Sequence, residues 1–190
     1  MTGSLAYRKN AAKIIAGIVP EKYLRLVEHI PGDKILEIGS AEGVLALLLA
    51  KKGKQVTALE RDRERHESAQ RLRDAWGMDV GGPRFICGDI RDNLRRLEGI
   101  DTLVAVRMIY YLGHDLDPVF TEVARKVPNV VLCGNKNRAH RWRLGIDEDT
   151  KADNKYASRE GMKDLLTRHG YKIVKEVTEG DEIVVGQKGF

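Results

Sequence analysis

The chain has 190 residues, of which 42% are hydrophobic and 32% are charged. These proportions are typical of a folded globular domain and exclude an intrinsically disordered protein. The net charge of +5 is small, so it permits an acidic substrate or RNA as a partner without demonstrating either. Because the longest apolar run, residues 44–50, is too short to cross a bilayer, we expect no membrane partner and a cytoplasmic location.

The N-terminal part of the chain is predicted to be helical. Helical patterns cover residues 7–18 and 21–30, and Pro20 separates them. These helices would form a cap, residues 1–31, on a core that spans residues 32–190. Since no stretch in between has the composition of a linker, we predict a single domain over residues 1–190.

From Gly32 onward, short apolar strands alternate with longer helical patterns. This alternation predicts an α/β fold with a doubly wound, mostly parallel, seven-stranded sheet and helices on both faces. The turn between the last two strands is too short for a parallel crossover, so these strands should form a C-terminal antiparallel hairpin. The predicted strands are residues 34–39, 55–60, 84–89, 101–106, 129–134, 171–177 and 182–187, and the predicted helices are residues 43–52, 62–76, 91–97, 115–126 and 159–169.

The first strand runs into a glycine-containing loop with the sequence "LEIGSAEGV". Gly39 and Gly43 would let the backbone turn sharply and leave space for a ligand. A dinucleotide site would normally read G-x-G-x-x-G here, but position 41 is alanine, and Glu42 would repel a pyrophosphate. The buried carboxylate expected at Glu37 needs a partner, and an amine-bearing ligand would provide one.

The pattern of Glu37, Gly39 and Gly43 resembles the first motif of the class I S-adenosylmethionine-dependent methyltransferases. The resemblance extends over roughly residues 33–187 and implies that the cofactor is S-adenosylmethionine, which leaves as S-adenosylhomocysteine. It implies that Glu60 binds the ribose, that Asp89 binds the adenine amine and that Ile90 packs on the purine. The cofactor residues implied in this way are Glu37, Gly39, Ser40, Gly43, Glu60, Arg61, Asp89, Ile90 and Arg107.

Two of these carboxylates also have purely structural interpretations. Glu60 precedes the charged helix predicted over residues 62–76 and could stabilise its first turn. Asp89 precedes the helix predicted over residues 91–97 and could act as its N-cap. We favour the cofactor interpretation because three acidic residues follow or end three successive strands.

The stretch after the fourth strand, "AVRMIYYLGHD", should face the methyl acceptor. It lacks the N/D-P-P-Y motif of amino-methylating enzymes and the aspartate of RNA ribose methyltransferases. The block resembles the methyltransferases of small molecules, in which a histidine or tyrosine lines the acceptor site. His114 is therefore the candidate general base, with a surface histidine as the alternative, and Tyr110 and Tyr111 are candidate pocket walls.

A basic stretch follows the fifth strand and contains a tryptophan but no acid over residues 135–143. Loops at this end of a parallel sheet build acceptor specificity, and basic groups beside an aromatic ring suit a carboxylate, a phosphate or a stacked base. A solvated charged loop is the alternative. The substrate-binding candidates from this stretch are Asn135, Lys136, Arg138, Arg141 and Trp142, and by family architecture Tyr7, Arg8 and Lys9 would lie near the acceptor.

The sequence thus predicts a methyltransferase that acts on a small, anionic molecule, with O-methylation favoured over N-methylation. An RNA methyltransferase and a noncatalytic regulator that binds the cofactor remain alternatives. Cys87 and Cys133 lie in apolar strands and are predicted to be buried free thiols. We expect no metal site.

Overall fold

The computed structural model describes residues 13–14, 16–145, 153–178 and 180–189. Most of the helix predicted over residues 7–18 lies outside the described residues, as do Tyr7, Arg8 and Lys9. No helix in the described ranges has the length and apolar character needed to cross a membrane. The cytoplasmic location stays a prediction.

A mixed sheet of seven strands forms the centre of the protein, in the order β3-β2-β1-β4-β5-β7-β6. Strands β1 to β5 are parallel, and β7 pairs antiparallel with both β5 and β6. This arrangement confirms the predicted sheet and its C-terminal hairpin. The strands are β1 (Lys34–Ile38), β2 (Gln55–Glu60), β3 (Arg84–Cys87), β4 (Thr102–Val106), β5 (Asn129–Cys133), β6 (Tyr171–Val177) and β7 (Ile183–Lys188).

Helices connect the parallel strands and cover both faces of the sheet. The predicted helix over residues 91–97 is replaced by two short 3₁₀ turns, Ile90–Asp92 and Leu94–Leu97, because Asp89 and Asn93 each begin a new turn. The helices with eight or more residues, and the shorter α1 before the sheet, are α1 (Glu21–Val27), α2 (Val44–Lys51), α3 (Arg63–Ala75), α4 (Leu116–Lys126), α5 (Lys136–Arg143) and α6 (Arg159–Arg168).

Side chains of β1 show how the two faces of the sheet are filled. Leu36 and Ile38 pack with α4 and α6 on one face, whereas Ile35 packs with α1 and α2 on the other. Successive residues of a strand point to opposite faces, so a strand covered on both sides is apolar at nearly every position. The buried exception in β1 is Glu37, which is 2% exposed.

Two further predictions for individual segments were wrong. Residues 136–143 form helix α5 rather than a loop, because the Asn135 side chain accepts a hydrogen bond from the Arg138 amide and caps the helix. Cys87 is exposed, whereas Cys133 is buried as predicted. The reason is position in the sheet: β3 is the edge strand beside β2, so Cys87 has a neighbouring strand on one side only.

Candidate functional site

The loop between β1 and α2 turns by means of an unusual backbone. Gly39, Ala41 and Gly43 all have positive φ angles, of 66°, 49° and 73°. A Cβ atom at position 39 would lie 2.8 Å from Met108 Cγ, so a glycine is needed there. Ala41 is not a glycine, and its left-handed conformation therefore costs free energy that the surrounding contacts must offset.

Glu60 at the end of β2 supplies those contacts. Its Oε2 atom accepts a hydrogen bond of 2.8 Å from the Ala41 amide, and its Oε1 atom accepts one of 2.9 Å from the Asp62 amide. The carboxylate thus ties the glycine loop to the start of α3. Each carboxylate oxygen has two lone pairs, so Glu60 can still accept a further hydrogen bond on each oxygen.

Gly43 has a different role from the one predicted, since it does not border the cavity. A Cβ atom at position 43 would lie 2.5 Å from the Phe85 ring and 3.0 Å from Ala69 Cβ. The absent side chain therefore makes room for β3 and α3 to pack against the start of α2, and the space that it leaves is not open to a ligand.

Glu37 is the most unusual charged residue of the site. Its side chain is buried, and its Oε2 atom has no hydrogen-bond partner among the described residues. Burial raises the pKa of Glu37 to about 8, the Ala46 backbone amide opposes this shift, and the nearby Glu60 carboxylate adds to it. A buried carboxyl group without a full set of partners is costly, and a cationic ligand would remove that cost.

Asp89 follows β3 and is held by arginines. Its carboxylate accepts hydrogen bonds from the Arg91 amide at 3.1 Å and from the Arg91 guanidinium at 2.7 and 2.9 Å, and Arg61 lies 3.7 Å away. These contacts, the Arg91 side chain first, lower the pKa of Asp89. Asp89 is therefore the N-cap of the following 3₁₀ turn, and the structural interpretation of this residue is confirmed.

Arg107 follows β4 and also has a positive φ angle, of 55°. Its Nη2 atom donates a hydrogen bond to Asp181, and its buried Nε atom has no partner among the described residues. Ser40 in the glycine loop likewise has a buried hydroxyl without a partner in the described chain. Glu37, Ser40 and Arg107 thus offer an acceptor, a hydroxyl and a donor to whatever binds between them.

The N-terminal helix α1 adds two residues that the sequence analysis did not predict. Lys22 and Tyr23 both line the site, and burial is the main cause of a lowered pKa for Lys22 and a raised pKa for Tyr23. The charge of Glu37 also raises the pKa of Tyr23, and both residues line the same site. The sequence feature that could have identified these two residues is the helix predicted over residues 21–30, which was expected to form part of a cap.

These groups surround a cavity of about 430 Å³ at the carboxyl ends of β1, β2, β3 and β4, which we call the first cavity. Eight of the nine predicted cofactor residues line it, and Gly43 does not. Of the predicted acceptor residues, Tyr111 lines it. The unpredicted lining residues other than glycine and alanine are Lys22, Tyr23, Ile38, Leu59, Asp62, Arg65, Val106, Met108 and Leu112.

His114 is not brought to this cavity. It lies in the 3₁₀ turn Gly113–Asp115, its side chain is 94% exposed, and its Nε2 atom is 3.4 Å from Asp115 Oδ1. A general base must come within hydrogen-bond reach of the proton that it removes. The structure therefore gives the predicted base no geometric support.

Arg138 and the two tyrosines after β4 form a compact cluster. The Arg138 guanidinium lies 5.1 Å from the ring centres of both Tyr110 and Tyr111 and donates hydrogen bonds to the Tyr111 hydroxyl and the Asn154 amide oxygen. Tyr110 is buried in the core. Arg138 thus holds Tyr111, which lines the first cavity, but Arg138 itself does not line it.

The other residues of the basic stretch also lie away from the first cavity. Asn135 caps α5, Lys136 donates a hydrogen bond to the Thr178 carbonyl, and Arg143 pairs with Glu160 and Glu182. Arg141 and Trp142 do not line it either. The charge of this stretch is therefore largely used in contacts within the protein, which composition alone could not reveal.

The chain is similar to known methyltransferases in sequence. Residues 35–128 match the model of a methyltransferase domain family. A 55-residue segment is 42% identical to the protein-L-isoaspartate O-methyltransferase of Chlorobaculum tepidum. That match covers 29% of this chain and 26% of the relative's own length.

Solved structures share the fold across nearly the whole chain. The magnesium protoporphyrin IX methyltransferase of Synechocystis PCC 6803 with bound S-adenosylmethionine is 16% identical, with a TM-score of 0.66 over 100% of this chain and 87% of that one. The N-terminal domain of EvdMO1 with bound S-adenosylhomocysteine is 18% identical, with a TM-score of 0.62 over 89% of this chain and 80% of that one. At such identities the likeness is one of fold.

Proposed function

We propose that this chain transfers the methyl group of S-adenosylmethionine to an oxygen atom of a small molecule, since residues 35–128 match a methyltransferase domain family and a structure that holds this cofactor shares the fold. The observation that carries the proposal is the first cavity, where a buried carboxyl group, a buried hydroxyl and a buried guanidinium nitrogen lack partners among the described residues. Such groups occur together where a ligand with both charges binds.

The amino acid end of the cofactor suits one part of the first cavity. Glu37 would bind its ammonium group, and Ser40 and Arg107 would bind its carboxylate. The absent side chain of Gly39 would let the backbone approach this end closely. The polar atoms without partners are thereby all satisfied, which is the reason for this orientation.

The nucleoside end suits the carboxyl ends of β2 and β3. Glu60 keeps one free lone pair on each oxygen and would accept two ribose hydroxyls while still holding Ala41. Asp89 would accept the adenine amine beside its Arg91 contacts, Ile90 would pack on the ring, and Arg61 would lie at the entrance. These assignments rest on the residues that line the cavity at this end.

The bound cofactor supplies an electrophilic methyl group on a positively charged sulfur. The chain's own residues would exclude water, orient the acceptor and hold it in line with that methyl group. No histidine is found among the described residues that line the first cavity. A carboxylate oxygen, which is already ionised at neutral pH, therefore suits this site better than a phenol or an alkylammonium group, since each of these must lose a proton to a base.

The RNA methyltransferase and the noncatalytic regulator stay predictions. Binding of RNA would need basic side chains available for phosphates, with an affinity that falls steeply as salt rises. Arg138 and Arg143 instead make hydrogen bonds and ion pairs inside the protein. This observation favours the small molecule as the acceptor.

Calorimetric titration with S-adenosylhomocysteine tests the proposal. We expect the wild-type protein to bind it and Glu60→Ala to bind about tenfold or more weakly, since a charged hydrogen-bonding group is lost. Glu64→Ala is the matched control, because Glu64 lies in the first turn of α3 and does not line the cavity. No binding by the wild type would overturn the proposal, and equal binding by Glu60→Ala would remove the ribose assignment.

A further inference from the structure

A second cavity of about 300 Å³ adjoins the first one. The two cavities share Lys22 and Arg107, so these side chains stand at the boundary between them. The second cavity lies between α1 and the segment that precedes β7. Its lining residues are Pro20, Lys22, Arg25, Arg107, Gly180, Asp181 and Ile183.

Positive charge predominates in this second cavity. Three of its lining residues are cationic, namely Lys22, Arg25 and Arg107, and one is anionic, Asp181. Asp181 is paired with Arg107, and Arg25 makes an ion pair of 3.0 Å with Glu21 on the exposed side of α1. An exposed pair of this kind contributes little to stability.

Lys22 is the cation with the least compensation. Its Nζ atom lies 4.6 Å from the centre of the Tyr23 ring, and no carboxylate of the described chain is within ion-pair distance of it. Burial, followed by the nearby Arg107, lowers the pKa of Lys22. A half-buried ammonium group that faces two cavities is stabilised when an anion enters one of them.

Arg25 approaches the turn before β7 at Gly180. A Cβ atom at position 180 would lie 3.0 Å from Arg25 Nη1, and the φ angle of Gly180 is 79°. Any other residue would be strained at this φ angle. The Arg25 guanidinium therefore lies against the turn before β7.

We propose that the second cavity binds an anionic group, a carboxylate or a phosphate, of the methyl acceptor, with Lys22 and Arg25 as its specificity-determining residues. The inference rests on the proposed function. The cofactor would occupy the first cavity, and the acceptor would extend from the second cavity past Lys22 and Arg107 to the methyl group. The acceptor is still an anionic molecule, as the basic stretch predicted, but its anionic group binds beside α1 rather than beside α5.

The test uses the full chain saturated with S-adenosylhomocysteine and follows backbone amides by NMR. Inorganic phosphate and benzoate are titrated separately as the two probes. We expect at least one of them to shift the amides of Lys22, Arg25 and Asp181, and Arg25→Gln to weaken that probe about tenfold by loss of a charged hydrogen bond. The tighter of the two probes identifies the anionic group.

Arg25→Gln is informative because Arg25 lines the second cavity and not the first. Its affinity for S-adenosylhomocysteine should stay within about twofold of the wild-type value. Arg125→Gln, which also removes one positive charge but lines neither cavity, should bind both probes normally. The inference is overturned if neither probe shifts these amides, or if Arg25→Gln binds the probe as the wild type does. If the wild-type protein does not bind S-adenosylhomocysteine, the proposed function is overturned instead.

Discussion

The glycine loop after β1 and helix α5 after β5 follow parallel strands of one sheet, and they differ in how their polar groups are satisfied. Near the loop, Glu37 and Ser40 each leave a buried oxygen without a partner among the described residues. In α5, Arg138 and Arg143 bind neighbouring side chains. Unsatisfied buried groups indicate a place for a ligand, whereas satisfied ones indicate structure, even where the second region carries more charge.

The largest effect should come from Gly39→Ala. The new Cβ atom would collide with Met108 and push that side chain toward the first cavity, so we expect affinity for S-adenosylhomocysteine to fall about 100-fold. Gly53→Ala is the matched control, because Gly53 also has a positive φ angle, of 82°, but nothing lies within 4 Å. Calorimetry should separate the two variants, and equal affinities would show that the loop has no contact with the ligand.

Glu37→Gln should change the pH dependence of that affinity. In the wild type, binding of an ammonium group requires ionised Glu37, so affinity should rise as pH increases toward about 8. Above that range the ligand amine loses its own proton and affinity should fall again. We expect Glu37→Gln to bind about tenfold more weakly near the maximum and to lack the rising limb. A bell-shaped profile in the variant would show that another group is responsible.

The same carboxyl group should affect stability without ligand. Its pKa is about 8 in the folded protein and 4.5 as the ordinary value, so the folded state holds a proton that the unfolded state has lost. The contribution of Glu37 to stability is therefore present below about pH 4.5 and is lost as pH rises to about 8.

Denaturation with urea across this pH range measures the effect. The free energy of unfolding of the wild type should fall by roughly 5 kcal/mol more than that of Glu37→Gln. Parallel curves for the two proteins would show that Glu37 ionises normally in the fold.

The smallest effect should come from His114→Ala. Since the His114 side chain is 94% exposed and does not line the first cavity, we expect turnover with labelled cofactor to stay within about twofold of the wild-type value. A loss of turnover at unchanged cofactor affinity would restore His114 as the base and would show that the region after β4 moves when the acceptor binds.

The sequence predicted the sheet and most of the first cavity because strand order determines where strand ends meet. Glu37 lies in β1, Glu60 ends β2 and Asp89 follows β3. Parallel pairing of the strands brings these residues to one edge of the sheet, independently of the contacts that their side chains make. The predictions for α5 depended on side-chain partners. Arg138 is held by Tyr111 and Asn154, which are 27 and 16 residues away in the chain, and no local pattern reports such pairs.

Lys22 was missed for a related reason. Its importance comes from the position of α1 over the ends of the strands, and the sequence around it reads as an ordinary amphipathic helix. Gly43 was misassigned because a glycine beside a ligand and a glycine beside an aromatic ring look alike in sequence.

The two cysteines give the protein a built-in site for a reporter. Burial raises the pKa of the Cys133 thiol to about 12, so this thiol stays protonated and inaccessible, whereas Cys87 is exposed on the edge strand. A maleimide fluorophore would therefore attach at Cys87 without any substitution, two residues before Asp89 and close to the nucleoside end of the first cavity. Ligands could then be screened by fluorescence on the natural chain.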